Sequence, residues 1–194
     1  MVWVDAMVEE YDSIVCNSVW DVVPRLEDKL VVSSRWLYKV KKATNGSVEK
    51  HKARFVAHGF SQVEGIDYDE TFAPVAKYSS IKSILALSAQ MGWKIHQMDV
   101  KNAFLNGTIE EEVYKEKPEG FETFNRESHV HWLKRELYGL KQEPRAWYTR
   151  IDSYFTRLGF TKSEADLNLY HIVMEGKLLI IVSYFDNLIL TGDD

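Results

Sequence analysis

Val4, Val8, Tyr11 and Val15 recur at helical spacing, so the first 16 or so residues are expected to form an amphipathic helix ending near Asn17, with this face in the core. Trp36 to Lys42 and Val48 to Ala57 are two β-rich runs separated by a loop containing Asn45-Gly46, the pattern of a hairpin. Side chains alternate along a strand, which puts Lys50, Lys52 and Arg54 on one face as a row of cations able to grip a triphosphate. Ser79 and Ser80 are candidate N-caps for a helix with Ile81, Ile84, Leu85 and Ser88 on one side and Gly92 at its end.

Trp93 to Met98 then reads as a strand that delivers Asp99. Pro144 suits the first turn of a further helix, in which Trp147, Ile151, Phe155 and Leu158 keep the 3.6 period until Gly159. Leu169 to Met174 and Leu178 to Tyr184 are expected to pair around Glu175-Gly176, and Leu188 to Thr191 to follow through the tight Phe185-Asp186-Asn187 connection. A hairpin, a helix, a strand, a helix and three short strands make an α+β chain rather than a doubly wound sheet. No internal repeat or low-complexity linker interrupts it.

Composition narrows the picture. The longest apolar run is Leu178 to Val182, far short of the roughly 20 residues a membrane helix needs, and a signal peptide is not evident. The expectation is a soluble, intracellular, cytoplasmic chain with no membrane partner. Cys16 stands alone, which removes an internal disulfide, and the six His lack zinc spacing, so His129 and His131 are taken as loop residues. The net charge of −5 hides a segregation: from Lys29 to Phe60 there are eight Lys or Arg against the single acid Glu49, whereas acids gather at Glu64 to Glu70 and Glu110 to Glu122. A basic lobe of this kind suits a phosphate-rich ligand.

Two stretches place a carboxylate at the edge of an apolar strand, Gln97-Met98-Asp99-Val100 and Tyr184-Phe185-Asp186-Asn187. Each alone is ordinary turn chemistry. Brought together across neighbouring strands, two such carboxylates can hold a pair of magnesium ions about 4 Å apart, a phosphoryl-transfer arrangement.

The same residues resemble the copia-type reverse transcriptase family over nearly the whole chain. The resemblance runs through Trp3-Val4-Asp5-Ala6-Met7 with Glu10, the Trp20 region, RWLYKVKKATNGSVEKHKARFVAHGF (Arg35 to Phe60), and Gln62 through GIDYDETFAPV (Gly65 to Val75). It continues in QMDVKNAFLNG (Gln97 to Gly107), VYKEKPEGF (Val113 to Phe121), LYGLKQEPRAWY (Leu137 to Tyr148) and SYFDNLILTG (Ser183 to Gly192). The resemblance implies a polymerase right-hand fold of fingers and palm, with about 1–92 mainly fingers and about 93–194 mainly palm. It also implies two magnesium ions, with manganese as a substitute, an RNA or DNA template with its primer, and deoxynucleotide triphosphates.

Carried over residue by residue, Asp99 resembles the first catalytic carboxylate and Asp186 the first Asp of the family's YVDD box, both magnesium ligands, with the Val100 carbonyl as a further ligand. Lys52 and Arg54 resemble the fingers residues that bind nucleotide phosphates, Phe104 the aromatic gate against a 2′-hydroxyl, and Gln142 part of the loop touching nucleotide and template. Three positions depart from the family pattern: His58 for Lys, Glu143 for a small residue, and Asn187 for the second Asp of the box. The last is the most serious, because an amide keeps the shape of a carboxylate but lacks its charge and adds two donors. The sequence is expected to end before the thumb and RNase H segments. The implied function is an RNA-directed DNA polymerase using two-metal nucleotidyl transfer, impaired by Asn187 and truncation. The alternative is a noncatalytic nucleic-acid-binding retroelement relic. A two-metal nuclease would need a further cluster of acids beside Asp99, and Glu110 to Glu112 read instead as a solvated loop.

Overall fold

In the computed structural model, which describes residues 2–121 and 128–193, the Asn45-Gly46 loop closes as a turn in which Gly46 takes a left-handed φ of 83° and Asn45 Oδ1 accepts the Ser47 N–H. In chain order the elements are α1 (Val2–Cys16), β1 (Trp20–Pro24), β2 (Val31–Val32), β3 (Ser34–Lys42), β4 (Val48–Ala57), α2 (Tyr78–Met91) and β5 (Ile95–Asp99). They continue as β6 (Tyr114–Lys115), β7 (His129–Leu133), α3 (Glu143–Arg157), β8 (Thr161–Lys162), β9 (Leu169–Met174), β10 (Lys177–Tyr184) and β11 (Asn187–Gly192). The chain is a mixture of helices and mainly antiparallel strands. Its two compact units interleave in sequence: Met1–Thr71 with Phe104–Ala146, and Phe72–Ala103 with Trp147–Asp194. Among the described residues no helix is long and apolar enough to cross a membrane, and Glu122 of the acidic stretch lies outside the described residues.

The first unit has a core of Ile14, Val19, Val32, Phe55, Leu105, Val113, Leu133 and Leu137. One sheet has the order β1-β7-β6-β2, and the β3–β4 hairpin stands as a separate pair. Helix α1 forms where expected, but its buried residues are Ala6, Glu10 and Ile14, and the Val4, Val8 and Val15 side chains are exposed. Of the expected face only Tyr11 packs, half-buried and stacked on Phe121 at 4.4 Å, because the buried stripe is displaced onto one that contains a carboxylate. Glu10 accepts a hydrogen bond from the Phe55 N–H and an ion pair from Arg54, so the helix covers part of β4, where an unpaired backbone group would otherwise be left. The β1-β7-β6-β2 sheet was not expected at all. Its members include Pro24 and two pairs of residues, Val31–Val32 and Tyr114–Lys115, too short to show a period.

His131, expected in a loop, sits within β7, buried, and stacks on Trp20 with ring centroids 4.4 Å apart. Burial, followed by the nearby Lys115 and Lys117, pushes its pKa down to about 3. The backbone of Tyr138-Gly139 docks on the end of β4: the Ala57 N–H donates to the Tyr138 carbonyl at 2.7 Å. Gly139 has φ +89°, and a Cβ there would lie 2.4 Å from the Ala57 carbonyl oxygen, so only Gly permits this approach.

In the second unit the sheet order is β5-β11-β10-β9-β8. The β9–β10 hairpin turns through Glu175-Gly176, both at positive φ, as the sequence suggested. Helix α3 buries Trp147, Ile151 and Phe155 as expected, whereas Leu158 is exposed. Helix α2 starts one residue before the predicted caps. Ser79 and Ser80 fall inside its first turn, and its N-terminus is held by Asp166, which accepts the Lys77 N–H at 2.8 Å. That distant carboxylate is held below its usual range despite burial, by bonds from Ser80 and from the Asn168 and Lys77 N–H groups. Gly92 caps the other end in the left-handed region, and Ser88 ties the helix to β11 through Thr191, 2.9 Å away.

Glu136 and Lys115 are ionisable side chains buried in the first unit. Both Glu136 oxygens lack a partner among the described residues, and burial, with Glu111 and Glu143 nearby, pushes its pKa up to about 9. Lys115 Nζ lies 3.6 Å from the Phe55 ring centroid and donates to the Glu116 carbonyl at 3.0 Å, and burial, opposed by the Glu116 charge, lowers its pKa well below 10.5. For Glu136 the folded chain retains a proton that the unfolded chain has lost, so its contribution to stability falls as pH rises from 4.5 to about 9. For Lys115 the unfolded chain binds the extra proton, so its contribution recovers as pH rises towards 10.5. Urea unfolding should therefore show Glu136→Gln gaining on the wild type with rising pH, by about 1–3 kcal/mol near neutrality. Lys115→Met should show a gain that shrinks with rising pH.

Candidate active site

Strand β5 reaches the site because it pairs antiparallel with β11, and the register sets Asp99 opposite Asn187 and Gln97 opposite Ile189. Directly opposed residues of such a pair have Cα atoms about 4.5–5.5 Å apart. Tyr184 faces Asn187 across β10 and β11, leaving Phe185-Asp186 as a two-residue turn. Phe185 takes φ 53°, a conformation that costs a non-glycine residue free energy. Two bonds hold the turn: Trp147 Nε1 donates to the Phe185 carbonyl at 2.8 Å, and the Val100 N–H donates to the Asp186 carbonyl at 2.7 Å. The β5 terminus and the turn are thus fastened by main chain as well as by sheet register.

Asp99 is exposed and Asp186 half-buried. Asn187 bridges the group: its Oδ1 accepts from Gln97 Nε2 at 3.1 Å, and its Nδ2 donates to Asp186 Oδ1 at 2.9 Å. Among the described residues no three His, Cys, Asp or Glu side chains group to hold a metal ion. Two carboxylates and an amide stand here. These are hard oxygen donors of the kind magnesium takes, although the set has one charge fewer than a carboxylate trio.

The remaining sequence-predicted residues belong to the first unit. Cross-strand register sets Lys39 opposite Lys52 and Lys41 opposite Lys50, so like charges face each other on the hairpin. The row is not bare. Lys50 pairs with Glu9 at 2.6 Å and Arg54 with Glu10, both from α1. The Arg54 guanidinium also lies 5.0 Å from the Tyr138 ring centroid, and Phe104 meets the same ring edge to face at 6.0 Å. Arg54 and Phe104 are therefore gathered around Tyr138, which sequence reasoning passed over although it stands in the Leu137 to Tyr148 stretch. Glu10 was missed too, since a carboxylate on an apolar helix stripe gives no sign of the guanidinium it meets.

Gln142 is buried, its Oε1 accepting from Gln62 Nε2 at 3.1 Å and its Nε2 donating to the Asp67 carbonyl at 3.2 Å. Both ends of its amide are used within the unit. Elsewhere in that unit, an open cleft of about 800 Å³ is lined by Arg35, Trp36, Phe55 and Lys117, with Arg25 paired to Glu116 on its wall.

The family model for reverse transcriptase (RNA-dependent DNA polymerase) matches residues 17–194. This chain belongs to that family. It is 40% identical to the retrovirus-related Pol polyprotein from transposon RE1 of Arabidopsis thaliana over 99% of its own length and 13% of that protein's. The corresponding figures are 40%, 97% and 14% for the Pol polyprotein from transposon TNT 1-94 of Nicotiana tabacum. Against the polyprotein from transposon RE2 of Arabidopsis thaliana it is 39% identical, over 99% of this chain and 13% of that one. The chain is a copia-type reverse transcriptase sequence that spans about one seventh or less of these curated relatives.

In this reverse transcriptase chain the Glu10–Arg54 pair makes a prediction of its own. Burial raises the Glu10 pKa, and Arg54, the Phe55 N–H and Lys52 act against that rise. Arg54→Met should cost about 2–3 kcal/mol at pH 7.5 by stranding a buried carboxylate. Because the folded pKa of Glu10 then rises further above its unfolded value, the loss should shrink at pH 4.5, where protonation neutralises the group. Denaturant melts at the two pH values check this, and an equal loss at both would mean the charge pair is not what Arg54 contributes.

Proposed function

We propose that this chain is the fingers and palm portion of an RNA-directed DNA polymerase of a copia-type retrotransposon, with about 1–92 mainly fingers and about 93–194 mainly palm. The observation that carries the reading is the β5–β11 register, which sets Asp99 opposite Asn187 and next to the turn bearing Asp186. In this reading Asp99 and Asp186, with the Val100 carbonyl, hold two magnesium ions, for which manganese could substitute. Bound magnesium would supply the charge that lowers the pKa of a primer 3′-hydroxyl and offsets the negative charge of the departing pyrophosphate.

The chain's own residues supply position. The bonds from Trp147 and Val100 fix where Asp186 stands, and Arg54 with Lys52 offers the fork and point charge that suit nucleotide phosphates. Phe104, resting on Tyr138, is the gate residue against a ribonucleotide's 2′-hydroxyl, and Gln142 acts from inside by holding the loop that meets nucleotide and template. Template and primer follow from the same reading, together with the basic hairpin and the Arg35 and Lys117 cleft.

Asn187 favours a second reading for this chain, a nucleic-acid-binding relic with little or no turnover, since Asp99 and Asp186 return only two negative charges to two magnesium ions. The two readings separate in a chain extended with a thumb and RNase H segment from a relative. Primer extension on an RNA template should be slow with Asn187 and rise by about 10²- to 10³-fold in Asn187→Asp. Equal rates would remove Asn187 as the controlling position. In the active Asn187→Asp background, Phe104→Ala should lower discrimination between deoxy- and ribonucleotides, measured as the ratio of incorporation efficiencies. An unchanged ratio would make Phe104 a packing residue on Tyr138.

A further inference from the structure

The Asp186 carboxylate already has a partner. Gln97 lies on the same face of β5 as Asp99, two residues before it, and so stands diagonally across from Asn187, a span that a long side chain covers. Its Nε2 donates to Asn187 Oδ1 at 3.1 Å. A primary amide has one acceptor end and one donor end, so committing the oxygen to Gln97 turns the amino group towards Asp186, where Nδ2 donates to Oδ1 at 2.9 Å. The main chain on either side cannot shift easily to release this contact, because the carbonyls of Phe185 and Asp186 are both taken, by Trp147 and by Val100.

We propose that Gln97 and Asn187 form an amide relay that holds Asp186 Oδ1 in a hydrogen bond, so that a divalent cation ligated by Asp186 competes with the Asn187 amino group for that carboxylate. Gln97 and Asn187 are then positioning residues that keep the site in a metal-free arrangement. This rests on the reading of Asp99 and Asp186 as metal ligands, but adds a cause of weak binding separate from the missing charge. A missing charge alone makes Asn187→Ala no better than the wild type, since neither side chain is charged. The relay makes Asn187→Ala better, because the carboxylate is released.

The test is titration of the 194-residue chain with Mn²⁺ alone, following free Mn²⁺ by electron paramagnetic resonance, with circular dichroism to establish that each variant is folded. Asn187→Ala should bind about three- to tenfold more tightly than the wild type. Gln97→Ala, which leaves Asn187 free to turn away, should gain in the same direction by less. Asn187→Asp should gain most, because it both removes the donor and adds charge. In the Asp186→Asn, Asn187→Ala double variant the gain should vanish.

If Asn187→Asp binds more tightly while Asn187→Ala and Gln97→Ala match the wild type or bind more weakly, the relay is overturned and the charge account stands alone. Should Asn187→Ala fail to fold, Gln97→Ala decides by itself: its exposed strand position makes it the milder change, and no gain there overturns the relay. Indifference of Mn²⁺ binding to Asn187→Asp and to Asp186→Asn alike would instead overturn the metal-ligand reading beneath it.

Discussion

The site depends on the pairing of one edge strand. β5 has a single neighbour, β11, and all five of its residues are exposed, so register and main-chain hydrogen bonds do what a packed face does for the inner strands. β10, by contrast, buries Ile180, Ile181, Val182 and Ser183 in succession and anchors the hairpin that carries Asp186. A one-residue slip of β5 would turn Asp99 and Gln97 to the other face and put Met98 in their place. The Val100 N–H bond to the Asp186 carbonyl guards against that slip, since it joins the end of the edge strand to the turn itself. The strained φ of Phe185 is tolerated for the same reason: Trp147 holds its carbonyl from α3, and the surrounding bonds leave the turn little room to relax.

The first unit uses one carboxylate in a comparable way. Glu10 links α1 to β4 through a backbone N–H and a guanidinium, and this gives the two-stranded β3–β4 hairpin a support that such a pair lacks in isolation. Its cost is a buried charge, visible in the raised Glu10 pKa. The same contact sets Arg54 beside Tyr138, and so beside Phe104. The register of that hairpin also sets Lys39 opposite Lys52 and Lys41 opposite Lys50, and Glu9 of α1 offsets part of this repulsion by pairing with Lys50. In the proposed function, structural support and phosphate contact therefore draw on the same cation, Arg54.

What the sequence made legible follows from how local each signal is. The β3–β4 hairpin, the helix opened by Pro144 and the Glu175-Gly176 turn rest on periodicity and turn residues, and they form where expected. Asp99 and Asp186 were legible as strand-edge carboxylates, and the β5–β11 register sets Asp99 opposite Asn187, next in sequence to Asp186. In the β1-β7-β6-β2 sheet, β2 and β6 were illegible because two-residue strands have no period, and β1 because it ends in Pro24, a residue that argues against a strand. The α1 face was misassigned because its packed stripe includes Glu10. Asp166 replaced Ser79 and Ser80 at the start of α2 from 86 or more residues away, a distance no capping pattern spans. Tyr138 and Gln97 were hidden for a related reason: their roles are set by partners on other strands and loops, not by neighbours in the chain.

The amide at position 187 changes the sign of an interaction as well as a charge count. Two adjacent carboxylates repel each other, so a site with Asp at both 186 and 187 is least stable when empty and gains from any cation that enters. With Asn187 the neighbour becomes a donor, and Asp186 holds a charge-assisted hydrogen bond with which a cation at the proposed site would compete. Gln97 completes the arrangement by satisfying the other end of that amide. A cluster that would be strained without metal is thereby turned into one that is content without it, with the turn, the register and the strand ends unchanged. On the proposed reading, the β5–β11 register and the Phe185-Asp186 turn are kept around a site whose resting hydrogen bond competes with the cation that nucleotidyl transfer requires.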